Sequence, residues 1–394
     1  MSTSQGRRRV LFTINSLAGG GAERVLLSLL AKSRDMLDQY DFSLALLDQE
    51  QRDYRPPEGL RIHQLDSRFK LVRSVLQLRR LAMLERPDLT VSFLTRSNVA
   101  SVVVAQLLGH RAVISERANT SGHFTSGVSG AMAKAIVRRF YPLADHVISV
   151  SQGISDDLAA NFGVDPARMS TISNPVDAAA IRRAGAETSD FAVTGPYAVA
   201  VQRLTKSKNA ILLVDALAAS GLDLSLVVLG QGPEHESIRA RAAALGLAER
   251  VIMPGFVSNP YPIMRQAACY VSASNGEGFP NGLVEALALG VPAAVTNCPS
   301  GPSEILADLR REDVKGLHTG EFGLLVPPND VEAMAEALRQ VSVPATAAAL
   351  AVAGPIRAAD YGPERAKVAY WDVIRDLLNS GSRGRRRRST PAAP

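Results

Sequence analysis

Along this 394-residue chain, short continuous apolar runs alternate with longer segments whose apolar residues recur three or four positions apart. Residues 10–14, 42–47, 89–93, 111–115 and 146–150 are such runs, and their brevity and β-branched content read as strands buried on both faces. Between them, residues 22–32 have helical spacing through Val25, Leu26, Leu29 and Leu30. Residues 69–83 do the same through Leu71, Val75, Leu78 and Ala82, and residues 128–140 form a third helical segment. A second series begins at 197–201 and continues with strands at 224–229, 251–253 and 323–326 and helices at 234–245, 330–341 and 363–378. Asn329 is placed to cap the helix at 330–341, with Glu332 completing a capping box, and Gly362 and Pro363 introduce the last helix. Between the two series, residues 173–194 break periodicity with Asn174, Pro175 and a small-residue stretch, which reads as a linker. The pattern predicts an α/β chain of two doubly wound domains, and the length supports two separate cores.

The stretch most informative about chemistry is SNGEGFPNGLVEALALGVPAAVTNCPSGPSEIL, residues 274–306. An apolar run ending in Tyr270 and Val271 leads into small polar residues, as a strand does on leaving the carboxyl end of a sheet. From Asn281, the positions of Leu283, Val284, Leu287, Ala288 and Leu289 fit a short buried helix, closed by Gly290 and Pro292. Gly278, Phe279, Pro280 and Asn281 therefore lie at a helix amino terminus, where unpaired N–H groups and the helix dipole favour an anion. Glu277 stands just before the turn and Glu285 one turn inside the helix. Carboxylates on either side of a phosphate site accept hydrogen bonds from hydroxyls, so the implied ligand runs hydroxyl, diphosphate, hydroxyl. That is a nucleoside diphosphate sugar.

Two further stretches point the same way. After the strand at 10–14, the loop 15–21 ends in Gly19, Gly20 and Gly21, which permit close backbone approach to a charged ligand. After the strand at 197–201, QRLTKSKN places Arg203 and Lys208 beyond a strand end, where a guanidinium and an ammonium neutralise a diphosphate as its bond to sugar breaks.

The phrase EGFPNGLVE resembles the Glu-x7-Glu signature of retaining glycosyltransferases with the GT-B fold, family 4, also described as glycosyl transferases group 1. The downstream GPSEI, the amino-terminal GGAERV at 20–25, and the Arg203–Lys208 spacing are similar to the same family, with Gln202 in place of its usual glycine. The resemblance implies two Rossmann-like domains facing across a cleft. Residues 1–187 would form an acceptor-binding domain, 188–360 a nucleotide-sugar-binding domain and 361–379 a helix crossing back to the first domain; the resemblance does not reach 380–394, which by composition reads as a basic disordered tail. It further implies that Glu277 contacts the donor sugar and Glu285 the ribose. Many retaining members carry a donor-contacting histidine after the strand at 111–115, where this chain reads Ser115, Glu116, Arg117. His110 and His123 lie nearby and are assigned no catalytic part.

Composition and charge narrow the setting. With 46% hydrophobic and 21% charged residues the chain reads as globular. Arg7, Arg8, Arg9, Arg383 and Arg385 to Arg388 outnumber the net charge of +6, so the ends are basic and the body slightly negative. Nucleic-acid binding, which favours a basic folded face interleaved with aromatics, is not indicated. Cys269 and Cys298 are the only cysteines and read as reduced, structural thiols. No signal-peptide core is evident, and no apolar run approaches the roughly 20 residues a bilayer span needs. The expected location is the cytoplasm, with peripheral contact to the inner face of the cell membrane through two basic helices. One carries Arg68, Lys70, Arg73, Arg79 and Arg80; the other carries Lys134, Arg138 and Arg139. The Arg-rich tail reads equally as lipid-binding or solubilising.

Together these features lead to an expected retaining, metal-independent hexosyltransferase, with no cofactor beyond its co-substrate. It would move a hexosyl or N-acetylhexosaminyl unit from a UDP-linked donor to a hydroxyl, the expected acceptor being a lipid-linked glycan of cell-surface polysaccharide or glycolipid synthesis. Catalytic roles fall to Glu277, Arg203 and Lys208, and donor binding to these with Gly20, Gly21, Gly278, Phe279, Pro280, Asn281 and Glu285. No Asp-x-Asp metal motif is present. A sugar-nucleotide epimerase, a glycan phosphorylase and a non-catalytic sugar-nucleotide binding protein share the implied fold and stay open. The incomplete G-x-G-x-x-G pattern disfavours an NAD oxidoreductase.

Overall fold

The computed structural model describes residues 7–50, 54–124, 127–189 and 191–380. The basic tail beyond Ser380 lies outside them. Two seven-stranded sheets organise the chain. The first contains β1 (Arg8–Ile14), β2 (Tyr40–Leu46), β3 (Arg61–Gln64), β4 (Leu89–Phe93), β5 (Arg111–Glu116), β6 (His146–Ser149) and β7 (Met169–Thr171). Its order is β3-β2-β1-β4-β5-β6-β7, all parallel. The second contains β8 (Tyr197–Val201), β9 (Ser225–Leu229), β10 (Val251–Gly255), β11 (Cys269–Ser272), β12 (Ala293–Thr296), β13 (His318–Gly320) and β14 (Gly323–Val326). Its order is β10-β9-β8-β11-β12-β14-β13, parallel except for the β13–β14 pair.

The strand order switches direction between β1 and β4 in the first sheet and between β8 and β11 in the second. In open α/β sheets the crevice beyond the carboxyl ends of such strands is where ligands bind. The glycine loop follows β1, QRLTKSK follows β8, and NGEGFPNG follows β11, so all three motifs occupy switch-point loops.

The strands are apolar because helices cover both faces; Val10, Phe12, Ile14, Leu89, Val91 and Phe93 are all buried. The helix Gly21–Lys32 buries Val25, Leu26, Leu29 and Leu30 against the first sheet. The last helix, Pro363–Asn379, follows the second domain in sequence yet packs on the first. Trp371 is fully buried among Phe12, Tyr40 and Phe42, and its indole N–H donates to Ser33 Oγ at 2.7 Å. Tyr370 stacks on Phe93, with its hydroxyl 3.0 Å from Ser115 Oγ.

Two sequence expectations need correction. Inside the supposed linker, Ala178–Gly185 is a helix, capped by Asp177, whose carboxylate accepts from Ala180 N. Small residues suit it because it lies in a tight seam: a Cβ on Gly185 would come 2.8 Å from Leu289 Cδ2. The helix Val331–Val341 is capped by Asp330, which accepts from Ala333 N at 2.9 Å, and not by Asn329. Asn329 instead adopts a left-handed backbone, φ 61°, one residue too early to cap.

Candidate active site

Strand β11 delivers its chain into the crevice through Ala273 and Ser274, both buried, and the helix Asn281–Ala288 begins seven residues later. No side chain caps that helix, so its leading N–H groups are left for another partner. Phe279 anchors the turn: it is buried and meets Tyr361 edge-to-face at 5.2 Å, so its side chain is a packing residue. Pro280 is likewise buried, against Gly301, where a Cβ would come 2.7 Å from Pro280 Cδ.

Around this helix end the sequence-derived residues gather unequally. Glu277 accepts from the Lys208 ammonium and, at 2.6 Å, from Ser274 Oγ, while its carbonyl accepts from Ser300 Oγ at 2.5 Å. The two loops that supply Lys208 and Glu277 are joined by Asn275 N donating to Ser207 O at 2.8 Å. Arg203 stands exposed nearby, outside that ion pair. Glu285 lies inside the helix with a side chain only 8% exposed. Its Oε1 accepts from Arg24 Nη2 at 2.8 Å, an ion pair that crosses from the first domain. Burial works against the Arg24 charge, but Glu285 and Tyr261 more than offset it, and the net shift is upward. Burial, reinforced by Glu285, pushes the Tyr261 phenol up to about 12.

The glycine loop meets the same helix end from the first domain. Gly21 comes so close to Asn281 that a Cβ would sit 3.1 Å from Asn281 Nδ2. At Gly278 a Cβ would lie 2.0 Å from the Arg117 carbonyl oxygen, so only glycine fits there. Asn281 Oδ1 also accepts from Asn174 Nδ2 at 2.8 Å, and Asn174 in turn accepts from Arg117. Gly20 packs instead on Glu23, whose buried carboxyl is held above its usual range chiefly by desolvation.

The segment Ser115 to Arg117, where the resemblance led to a histidine being expected, is an internal network here. Glu116 accepts from Arg117 N at 2.9 Å, Ala118 N at 3.2 Å and the Tyr141 hydroxyl at 2.5 Å. Arg117 donates to Ser115 Oγ and to the Tyr370 hydroxyl. Burial lowers the Arg117 pKa and, with Glu116, raises that of Tyr141 well above the phenol range. What this segment turns toward the second domain is the Arg117 carbonyl. His110 precedes β5 and so lies at the end of the sheet away from the crevice.

Sequence reasoning did not assign Arg24, Asn174 or Glu304, though Arg24 and Glu304 lie in motifs it singled out and Asn174 lies in the expected linker. Glu304, in GPSEI, accepts from Gln152 N at 2.6 Å and Gly153 N at 3.0 Å, capping the helix Gln152–Phe162 from the other domain. Among the described residues no three His, Cys, Asp or Glu side chains are grouped to hold a metal ion.

Two facing Rossmann-like domains with crossover helix and switch-point loops constitute the GT-B fold, and the chain belongs to glycosyltransferase family 4, glycosyl transferases group 1. Residues 19–180 match the Glycosyltransferase Family 4 description and residues 185–343 match Glycosyl transferases group 1. The chain is 30% identical over 339 residues to N-acetylgalactosamine-N,N'-diacetylbacillosaminyl-diphospho-undecaprenol 4-alpha-N-acetylgalactosaminyltransferase of Campylobacter jejuni, covering 83% of this chain and 88% of that protein. Its fold is similar to the lipopolysaccharide outer core galactosyltransferase WaaB in apo form, with TM-score 0.73, 19% identity and coverage of 93% and 99%. Anabaena HepE in complex with UDP-glucose gives TM-score 0.72, 18% identity and the same coverage.

Proposed function

We propose that this glycosyltransferase moves a hexosyl or N-acetylhexosaminyl unit from a UDP-linked donor to a hydroxyl of a lipid-linked glycan, with retention of configuration and without a metal. The observation that carries the reading is the Lys208–Glu277 ion pair just ahead of the uncapped amino terminus of the helix Asn281–Ala288, with Glu285 nearly buried inside that helix. A diphosphate seated there gains the helix N–H groups, with Arg203 and Lys208 as counter-charges. Those cations act where negative charge grows, on the leaving diphosphate, which is the part a metal plays in other transferases. Glu277 holds the donor sugar and Glu285 the ribose. In the transfer, the bond from the anomeric carbon to the phosphate oxygen breaks and a bond to the acceptor oxygen forms on the same face. The acceptor proton passes to the departing phosphate oxygen. Glu277 positions the sugar and does not attack it.

The lipid-linked acceptor is supported by the named activity of the C. jejuni relative and by one surface of the first domain. The helix Leu71–Glu85 buries Leu78, Leu81 and Ala82, and its opposite face exposes Val72, Leu76, Met83 and Leu84 beside Arg73, Arg79 and Arg80. Phe69 stands exposed just ahead of it. An apolar stripe flanked by cations suits an anionic lipid surface on the cytoplasmic side. The helix Val128–Phe140 fits less well, because Arg138 donates to the Asn161 carbonyl and lies over Phe162. Among the described residues no single helix is long and apolar enough to cross a bilayer.

The test is product formation from a panel of UDP-sugars with lipid-linked glycans, run with and without EDTA, with the product's anomeric configuration read by NMR. Transfer with retained configuration, undiminished by EDTA, is the expected result. Donor hydrolysis or epimerisation without transfer, inversion, or dependence on added Mg²⁺ would each contradict the corresponding part.

A further inference from the structure

Arg24 occupies an unfavourable place for an arginine. It lies in the first turn of the helix Gly21–Lys32, where the dipole disfavours a cation and where Lys32, by contrast, sits well in the last turn. Its position is explained from across the cleft. Gly21, lacking a Cβ, lets the helix end come up to Asn281, and from there Arg24 Nη2 reaches Glu285 Oε1 at 2.8 Å. Glu285 is nearly enclosed, so an uncompensated charge there would be strongly disfavoured. Tyr261, which interacts with both partners, stands on the second domain's side.

We infer that Arg24 is a positioning residue of the first domain that fixes the Glu285 carboxylate for the nucleoside ribose, so that ribose recognition is shared by both domains. This rests on the nucleotide-sugar reading of Glu285. A carboxylate offers about four acceptor positions, and Arg24 takes one of them at Oε1. Tyr261 also interacts with this carboxylate, and the positions then left serve the vicinal hydroxyls of a ribose, in an orientation the guanidinium sets. Arg24 touches no reacting atom in this arrangement. Its loss acts on donor affinity and on discrimination at the ribose, and leaves the bond-breaking step alone.

The experiment is calorimetric titration of the full chain with UDP and with 2′-deoxy-UDP, for wild type, Arg24→Ala, Arg24→Lys and Glu285→Gln. Wild type should prefer UDP, and Glu285→Gln should lose most of that preference. Arg24→Ala should weaken UDP binding by about tenfold and bring the UDP to 2′-deoxy-UDP ratio close to that of Glu285→Gln. Arg24→Lys, which keeps a cation without the guanidinium's geometry, should give an intermediate ratio and decides the matter if the alanine variant fails to fold. Donor KM should rise in these variants with kcat little changed. An Arg24 variant that binds UDP as tightly as wild type or more tightly, or keeps the full ratio, overturns the inference while leaving Glu285 in place. Wild type that ignores the 2′-hydroxyl, or binds no UDP, overturns the ribose reading of Glu285 and this inference with it.

Discussion

Lys208 and Glu277, 69 residues apart, form an ion pair at the mouth of the crevice, each less than a quarter exposed. The lysine loop follows β8 and the glutamate loop follows β11, adjacent strands on either side of the sheet's switch point. A cation and an acid held in contact this close to a helix end are ready to separate onto a ligand, the ammonium to phosphate and the carboxylate to sugar hydroxyls. Replacing Lys208 with alanine should lower kcat about 10²-fold, because it removes a charge that acts chiefly on the leaving group. Glu277→Ala should depress turnover at least as much. Steady-state kinetics on the purified variants check both, and near wild-type turnover in either would remove that residue from the mechanism.

The crossover helix should hold the first domain together. Trp371→Ala deletes a fully buried indole and leaves Ser33 Oγ without its donor. A loss of about 3–5 kcal/mol is expected, read from urea unfolding. A change under about 1 kcal/mol would mean that the helix is dispensable to the core it fills.

His146 gives a pH dependence whose sign is fixed by its burial. Desolvation lowers its pKa below the ordinary imidazole value of about 6.5. Its contribution to stability is therefore complete above that value and is lost as pH falls through the depressed folded pKa, where the unfolded chain binds the extra proton. Thermal melts of wild type and His146→Gln, compared from pH 8 to about pH 5, should show the wild type losing more stability on acidification. Parallel curves would contradict the assignment.

Binding to lipid should depend on the helix Leu71–Glu85. Changing Arg73, Arg79 and Arg80 together to glutamate should abolish co-sedimentation with vesicles containing phosphatidylglycerol, since each basic residue near such a surface contributes about 1 kcal/mol. Binding of the wild type should also fall as salt rises. Equal wild-type binding to neutral phosphatidylcholine vesicles, or an unaffected variant, would refute an electrostatic docking face.

The parts of this protein legible in its sequence are those decided locally. A strand end, small polar residues, a Pro-led helix and two acids a fixed distance apart all follow from neighbours in the chain, so the placing of Glu277 before the helix and Glu285 inside it is legible in 274–306. The apolar runs of β1, β4 and β8 were equally plain because both sheet faces are covered. Arg24, Asn174 and Glu304 were not, since their partners lie 261, 107 and 152 residues away and nothing local marks a residue as facing another domain. Arg24 did carry a faint signal, a cation at the wrong end of a helix. Ala178–Gly185 was hidden by the nearby Pro175 and by small side chains that the seam with Leu289 requires. The cap at Asp330 was missed by one residue, because the left-handed turn at Asn329 shifts the helix start without altering composition.

The most direct test of the whole account is a crystal structure with a UDP-sugar bound. The account predicts the diphosphate at the amino terminus of Asn281–Ala288 within reach of Lys208 and Arg203, the ribose on Glu285 and the sugar on Glu277, with the Lys208–Glu277 pair parted. A nucleotide seated elsewhere, with that pair and the helix end untouched, would contradict it.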